Sequence, residues 1–296
     1  EIAKALAFDA RILVMDEPTS ALDRTEVEKL FALIDDLKRR GCGIVYISHK
    51  LEEIYRLADR ITVLRDGRWV GTAPAAECPQ PRLIQWMIGR ELTEQIPPRP
   101  AAIAAAAGPP RFEVRGWRVP HRDSARPDTV RDFSVSVRPG EIVGLAGLQG
   151  SGCTEVFPGL FGAAGPGCTG SVLIDDAPFT PENPARSIHA GLAYLTGDRQ
   201  GTGLVLGMSI RENINLASLP TVSPAGWLRP KLEHERASVQ RDALRIRLAS
   251  LDQPVGTLSG GNQQKVVLAK WLETRPKVLL LEEPTRGVDV GAKHEI

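Results

Sequence analysis

Asp16-Glu17-Pro18-Thr19-Ser20-Ala21-Leu22-Asp23 decides the reading of this chain, because nearly the same phrase returns at its other end. Glu282-Glu283-Pro284-Thr285-Arg286-Gly287-Val288-Asp289 repeats it. Each copy follows a short apolar run, Ile12-Leu13-Val14-Met15 in one case and Val278-Leu279-Leu280-Leu281 in the other. Upstream, Ala3-Lys4-Ala5-Leu6 aligns with Ala269-Lys270-Trp271-Leu272 at the same offset. A repeat this long predicts two copies of one domain rather than a solenoid of small units. Each apolar run, bounded by turn residues, predicts a buried parallel strand. Two acids at the end of such a strand, then a turn and another acid, suit a nucleotide-hydrolysing site that holds a magnesium ion and a water.

The chain's 296 residues are enough for two ordinary domains with cores of their own. Hydrophobic and charged fractions of 42% and 25% are those of a globular protein. A net charge of +1 gives no support to a broad nucleic-acid surface, which needs a basic excess. No apolar run approaches the roughly 18–20 residues of a membrane span, and no signal-peptide pattern opens the sequence. Cys42, Cys78, Cys153 and Cys168 form no close pair and no metal-type spacing, which fits a reducing, cytosolic setting. The sequence opens at Glu1 inside a helical pattern (Ile2, Ala3, Leu6) and closes at Ile296 inside another helix start. It therefore reads as a fragment. The first copy keeps only the part from its acidic strand onward, and the second lacks its C-terminal end.

After the first acidic strand, Thr25–Arg40 carries apolar residues at Val27, Leu30, Phe31, Leu33, Ile34 and Leu37, one face of an amphipathic helix stopped by Gly41 and Gly43. Gly43–Ser48 is a second buried strand ending at His49, and Leu51–Ala58 a short helix. Ile61–Arg65 and Arg68–Gly71 flank Asp66-Gly67, a hairpin signal. Strand, helix, strand in this order predicts an α/β domain with a parallel sheet. Residues 93–110 turn to Pro, Ala and Gly and read as a semi-rigid linker. The domains expected are thus 1–92, the later half of a first copy, and 111–296, the second. In the second, strands at Phe112–Arg118 and Val130–Val137 precede a further buried strand, Ile142–Ala146. Arg111, Arg115, Arg118, Arg122, Arg126 and Arg131 read as a solvated strand face rather than an anion-binding patch.

Gly147-Leu148-Gln149-Gly150-Ser151-Gly152-Cys153-Thr154 lies between that strand and a helix beginning near Thr154, the context of a phosphate-binding loop. Amides of such a loop and the helix N-terminus favour phosphate, and the glycines permit close approach. The Thr154 hydroxyl is placed to reach a magnesium ion. Cys153, however, stands where the loop's lysine belongs, so the loop keeps its shape and loses its charge. Taken alone, it is equally a plain strand-to-helix turn. Leu258-Ser259-Gly260-Gly261-Asn262-Gln263-Gln264-Lys265 precedes a helix over Val266–Leu272, with Ser259 as a suitable N-cap. Two glycines at a helix entry let phosphate approach the amides.

Together, the glycine loop, the LSGGNQQK segment and the repeated acidic strand resemble an ATP-binding cassette (ABC) ATPase. GLQGSGCTE, TGDRQGTGLVLGMSIREN, LSGGNQQK and EEPTRGVDVGAK resemble in particular the duplicated ATPase subunit of ribose-, galactose- and xylose-type importers. The resemblance implies a P-loop ABC cassette fold: a parallel-sheet core with an antiparallel β subdomain and a helical subdomain, in two truncated copies. It implies ATP and Mg2+ as cofactors. Asp16 and, in the second copy, Glu282 and Thr154 hold the magnesium shell through water. Glu17 and Glu283 are the catalytic carboxylates, and His49 contacts the γ-phosphate. Gly147, Gly150, Ser151, Gly152, Cys153 and Thr154 cradle phosphate. Ser259, Gly260, Gly261 and Gln263 belong to the segment that caps ATP held by the opposite cassette. Asp23 and Asp289 communicate between cassettes, and Tyr194–Leu206 faces the membrane subunits.

The sequence departs from that pattern at three places. Cys153 is neutral, Glu282 replaces an aspartate, and Gly197 stands where the branch tends to carry an acid. These changes put hydrolysis at the second site in doubt. The implied function is a peripheral ATPase on the cytoplasmic face of the inner membrane. Its partners would be permease subunits and, indirectly, an external sugar-binding protein, with no nucleic acid. The fragment alone is expected to be inactive, because neither composite site is whole within it. A soluble duplicated cassette acting on ribosomes or DNA is the alternative, disfavoured by the uncharged linker, the absence of CxxC and the near-zero charge. A nucleotide-binding regulator without turnover at the second site is a third. Trp117 is a candidate for stacking on adenine by position, or else a packing residue.

Overall fold

The computed structural model describes residues 10–296 except 20, 21, 66, 90–107, 122–126, 149 and 289. The chain divides into two compact units, Glu1–Pro97 with Gly287–Ile296, and Pro98–Arg286. Most of the expected linker, the opening helical pattern and Asp289 lie outside the described residues.

In the first unit, β1 (Ile12–Asp16) pairs in parallel with β2 (Gly43–Ile47), from Ile12 opposite Gly43 to Asp16 opposite Ile47. Between them runs α1 (Arg24–Arg39), which puts Leu30, Phe31 and Ile34 against Leu13 and Met15. Its start is fixed by a capping box. Asp23 accepts from the Glu26 amide at 2.8 Å, and Glu26 accepts from the Asp23 amide at 3.0 Å. After α2 (Leu51–Leu57), the hairpin β3 (Arg60–Arg65) and β4 (Arg68–Pro74) forms in antiparallel register. With α3 (Gln80–Ile88), closed by Gly89 at φ 88°, it builds a second small core of Ile61, Val63, Ala73, Cys78 and Leu83.

The second unit opens with β5 (Phe112–Val119) and β6 (Val130–Val137), the strands expected there. After α4 (Cys153–Leu160) they are joined by β7 (Thr169–Ile174) and β8 (Ala177–Phe179) in an antiparallel sheet of order β6-β5-β7-β8. Asn183 caps α5 (Pro184–Ala190), and Gly191 ends it in the left-handed conformation. β9 (Leu192–Leu195) follows, buried throughout. A helical part comprises α6 (Ile210–Asn215), α7 (Pro230–Ala243) and α8 (Gly260–Leu272). β10 (Val278–Leu281) then pairs in parallel with β9. One core runs through both parts, from Phe112, Val114 and Trp117 to Leu192, Ile210, Ile214, Val266 and Val267.

Several elements differ from the sequence reading. β1 and β2 are not buried on both faces: Leu13 and Met15 face the core, whereas Ile12 is 71% exposed and Val14, Val45 and Ile47 are also exposed. Among the described residues the two strands form a two-stranded sheet with one covered face, so the other half of each apolar run meets solvent. Ile142–Ala146 forms no strand. Ile142 is 91% exposed, and no neighbouring strand among the described residues supplies a ladder. The helix expected over Val266–Leu272 begins at Gly260, because the Gln263 amide already bonds the Ser259 carbonyl at 2.9 Å. The second hairpin strand runs on to Pro74. Trp117 is 2% exposed inside the core, so it packs and is not available to stack on a base.

Candidate functional site

Glu17 leaves β1 with φ 46°, a left-handed conformation that a residue with a Cβ adopts at a cost of roughly 1–3 kcal/mol. Its amide bonds the Ile47 carbonyl at 3.0 Å, so the chain turns immediately beyond the last ladder bond. That turn aims its carboxylate across the end of β2. Oε1 accepts from the His49 amide at 3.2 Å and lies 2.7 Å from His49 Nδ1. An ionised carboxylate only accepts, so Nδ1 carries the proton and Nε2 points away as the free ring nitrogen. Glu17 Oε2 is buried and has no hydrogen-bond partner among the described residues. A buried, unsatisfied carboxylate oxygen beside a histidine is a costly arrangement that a bound water or ligand relieves. Asp16, one residue earlier, is exposed at the end of β1.

Around this pair lies a polar cluster that the sequence reading missed. Glu53, 6% exposed on α2, accepts from Thr19 Oγ1 at 2.6 Å, Tyr46 OH at 2.8 Å and Ser48 Oγ at 3.0 Å, and pairs with Lys50 Nζ at 3.1 Å. Burial raises its carboxyl's pKa. The four donors lower it by more, and the net shift is below the usual carboxylate range. Burial, then the Glu53 hydrogen bond, pushes the Tyr46 phenol up.

At the second copy of the acidic phrase, Glu283 repeats the positive φ at 41°. Its carboxylate is exposed and pairs with Arg286 at 3.2 Å. Glu282 is engaged otherwise: Tyr194 OH donates to its Oε2, and burial, then this bond, pushes the Tyr194 phenol up. A Cβ on Gly197 would sit 3.3 Å from Glu282 Oε1. Two of the sequence departures are therefore neighbours, and the longer acid at 282 occupies space that a side chain at 197 would need.

The glycine loop leads into α4 through Gly150 and Gly152, at φ 81° and 92°. A Cβ on Gly152 would lie 2.7 Å from the Thr129 carbonyl oxygen, so packing as well as conformation requires glycine there. Ser151 Oγ and Cys153 Sγ fold over Gly147, and the Ser151 amide bonds the Leu148 carbonyl at 2.9 Å. The Glu155 amide in the first turn of α4 bonds the Gly152 carbonyl at 3.1 Å, so an anion would be met by the amides of Cys153 and Thr154. The Thr154 hydroxyl donates to Glu155 at 2.9 Å.

Ser259 occupies the N-cap position of α8, but its side chain caps no amide; it accepts from Asn262 Nδ2 at 3.0 Å. The amides of Gly260 and Gly261 are thus left to an external acceptor. Gln263 is buried, with Nε2 donating to the Leu258 carbonyl at 3.1 Å and Oε1 accepting from Arg199 Nε at 3.2 Å. It is a tie between α8 and the 199–203 turn, whose Asp198 cap holds the Gly201 amide at 2.9 Å. In the stretch 194–206, Tyr194 and Leu195 are interior, while Thr202, Val205 and Leu206 are exposed. Arg111, Arg115 and Arg118 pair with Asp175, Glu113 and Asp128, as a solvated strand face does. Asp23 is committed to its capping box, a signal legible as Asp-x-x-Glu.

The ABC transporter family model matches residues 130–286, more than half of the sequence, and the chain belongs to that family. It is 46% identical over 296 residues to the ribose import ATP-binding protein RbsA 3 of Rubrobacter xylanophilus, covering all of this chain and 57% of that protein. It is 44% identical to the ribose import ATP-binding protein RbsA of Oceanobacillus iheyensis, with the same coverage. The RbsA 2 of Streptomyces coelicolor is 46% identical, with 55% of its length covered. The chain thus spans a little over half the length of these relatives. Two solved structures share the fold. MJ1267, an ATP-binding cassette of an ABC transporter, matches with TM-score 0.52 and 22% identity over 63% of this chain and 74% of its own. The dimeric cassette MJ0796 with ADP and Pi matches at 0.53 and 18%, over 62% and 79%.

Proposed function

We propose that this chain is part of an ATP-hydrolysing subunit that energises import of a monosaccharide, with ribose import the activity named for its relatives. The observation that carries the hydrolytic reading is the Glu17–His49 pair, one carboxylate oxygen held by histidine and the other buried without a partner among the described residues. ATP with Mg2+, when bound, supplies the phosphoanhydride that is cleaved and the charge that offsets its phosphates. Glu17 Oε2 orients a water and takes its proton. His49 Nδ1–H keeps that carboxylate in place, and Nε2 binds the terminal phosphate by donating to it, which requires the imidazolium form with both ring nitrogens protonated. Asp16 is the residue for a magnesium-bound water. Ser259, Gly260 and Gly261 offer amides to phosphate on an opposing cassette.

At the second copy, Glu282 tied to Tyr194 and the neutral Cys153 favour nucleotide binding with little turnover. The partners of this reading are permease subunits at the cytoplasmic face of the membrane and, through them, an external sugar-binding protein. Among the described residues, no helix is long and apolar enough to cross a membrane. In the full-length protein, Glu17→Gln should lower steady-state ATP hydrolysis by about 10²–10⁴-fold while nucleotide binding persists. Unchanged turnover would remove Glu17 from the chemistry.

A further inference from the structure

We infer that Glu53 is the positioning residue of the Glu17–His49 pair, clamping the turn after Glu17 to the β2–α2 loop that carries His49. The inference rests on reading that pair as the hydrolytic centre. Its four donors come from both sides of the pair. Thr19 stands two residues after Glu17, Tyr46 and Ser48 flank the end of β2, and Lys50 follows His49. Oε1 takes Thr19 and Lys50, and Oε2 takes Tyr46 and Ser48. Lys50 Nζ also donates to Thr19 Oγ1 at 2.9 Å, and the Lys50 amide bonds Ser48 Oγ at 3.0 Å.

Each carboxylate oxygen thus meets two donors, so Glu53 has no capacity left for a ligand and acts through its neighbours. An acid in the first turn of a short surface helix needs no burial to favour the helix dipole. This one is 6% exposed, a position tolerated only because every oxygen is satisfied. Glu17 needs such support, since its left-handed backbone is strained and, among the described residues, His49 alone holds its side chain. Thr19, itself 1% exposed, is the link: its hydroxyl joins Glu53 to the acidic turn directly and, through Lys50 Nζ, a second time.

The test uses the tautomer of His49, which a merely structural acid would not control. On the 296-residue chain with labelled histidines, long-range proton–nitrogen correlation at about pH 8, above the usual histidine range, reports which ring nitrogen carries the proton. His49→Gln assigns the signal. The wild type is expected to show Nδ1–H alone. Thr19→Val, nearly isosteric, should release a mixture of both tautomers, and Thr19→Ser should restore the single form. Lys50→Met, at a half-exposed site with no packing at risk, should move the signal the same way. Folded Thr19→Val and Lys50→Met variants with an unaltered tautomer would overturn the inference. In the full-length protein, Thr19→Val should lower kcat by about tenfold with KM for ATP within about twofold, as expected for a displaced catalytic group. A released tautomer with intact turnover would leave the clamp standing and sink the hydrolytic reading of the pair instead.

Discussion

At the scale of single residues, the two copies of the acidic phrase share a backbone and diverge in side-chain chemistry. Glu17 and Glu283 both adopt positive φ, so the strained turn belongs to the phrase and not to one site. Their surroundings decide what the acid can do: Glu17 is held by His49, whereas Glu283 is exposed against Arg286. One position earlier, Glu282 reaches Tyr194 because Gly197 leaves room for the longer arm. Restoring the charge and the shorter acid together, Cys153→Lys with Glu282→Asp in the full-length protein, should tighten ATP binding. A charge-assisted hydrogen bond of roughly 1.5–3 kcal/mol corresponds to about ten- to a hundredfold in Kd, measurable by titration calorimetry. An unchanged Kd would mean that neither departure limits the second site. The placing of Glu17 and His49 just after apolar strands was legible in the sequence, whereas the contact between their side chains comes from the parallel register of β1 with β2. Glu53 was not legible, because an isolated acid in a short helix carries no pattern, and only the fold surrounds it with four donors.

Among the elements, α8 shows best how local rules and tertiary context divide the labour. The sequence marks its C-terminal part by apolar residues, but two glycines hid its true start, since glycine is a poor helix former. Burial overrides that preference: Gly261, Gln263, Gln264 and Lys265 are all buried in the first turns. Farther along, Lys270 is 7% exposed, its Nζ donating to the Gly203 carbonyl at 2.5 Å and lying 4.8 Å from the centre of the Trp271 ring. Burial pushes this ammonium down to about 8 from 10.5. Between those values the unfolded chain binds more protons than the folded one, so stability rises with pH across that window. The rise is on the order of 3 kcal/mol. Lys270→Met should abolish it, and denaturant unfolding at several pH values from about 7.5 to 10.5 would read the difference between the two proteins. Parallel curves would mean that water reaches the amine.

For the molecule as a whole, the repeat lets the two units be compared strand for strand. Successive amides along a strand point to opposite edges. The Glu17 amide bonds Ile47 on β2, while the amide of Glu282, equivalent to Asp16, bonds Leu195 on β9. The neighbours therefore lie on opposite edges of the acidic strand, the arrangement of a strand inside a parallel sheet. This explains why the apolar runs are continuous: an interior strand of such a sheet is covered on both faces. In the first unit, Ile12, Val14, Val45 and Ile47 instead form an open face, and sheet faces of this kind seek cover. The 296-residue chain should therefore bind a hydrophobic dye and show a mass that grows with concentration in analytical ultracentrifugation. Val14→Thr with Val45→Thr should reduce both, while each exposed substitution shifts unfolding stability by no more than about 0.5 kcal/mol. If the double variant instead lost several kcal/mol with dye binding unchanged, the face would have to be covered within the chain, and the apolar runs would be packed as the sequence alone implies.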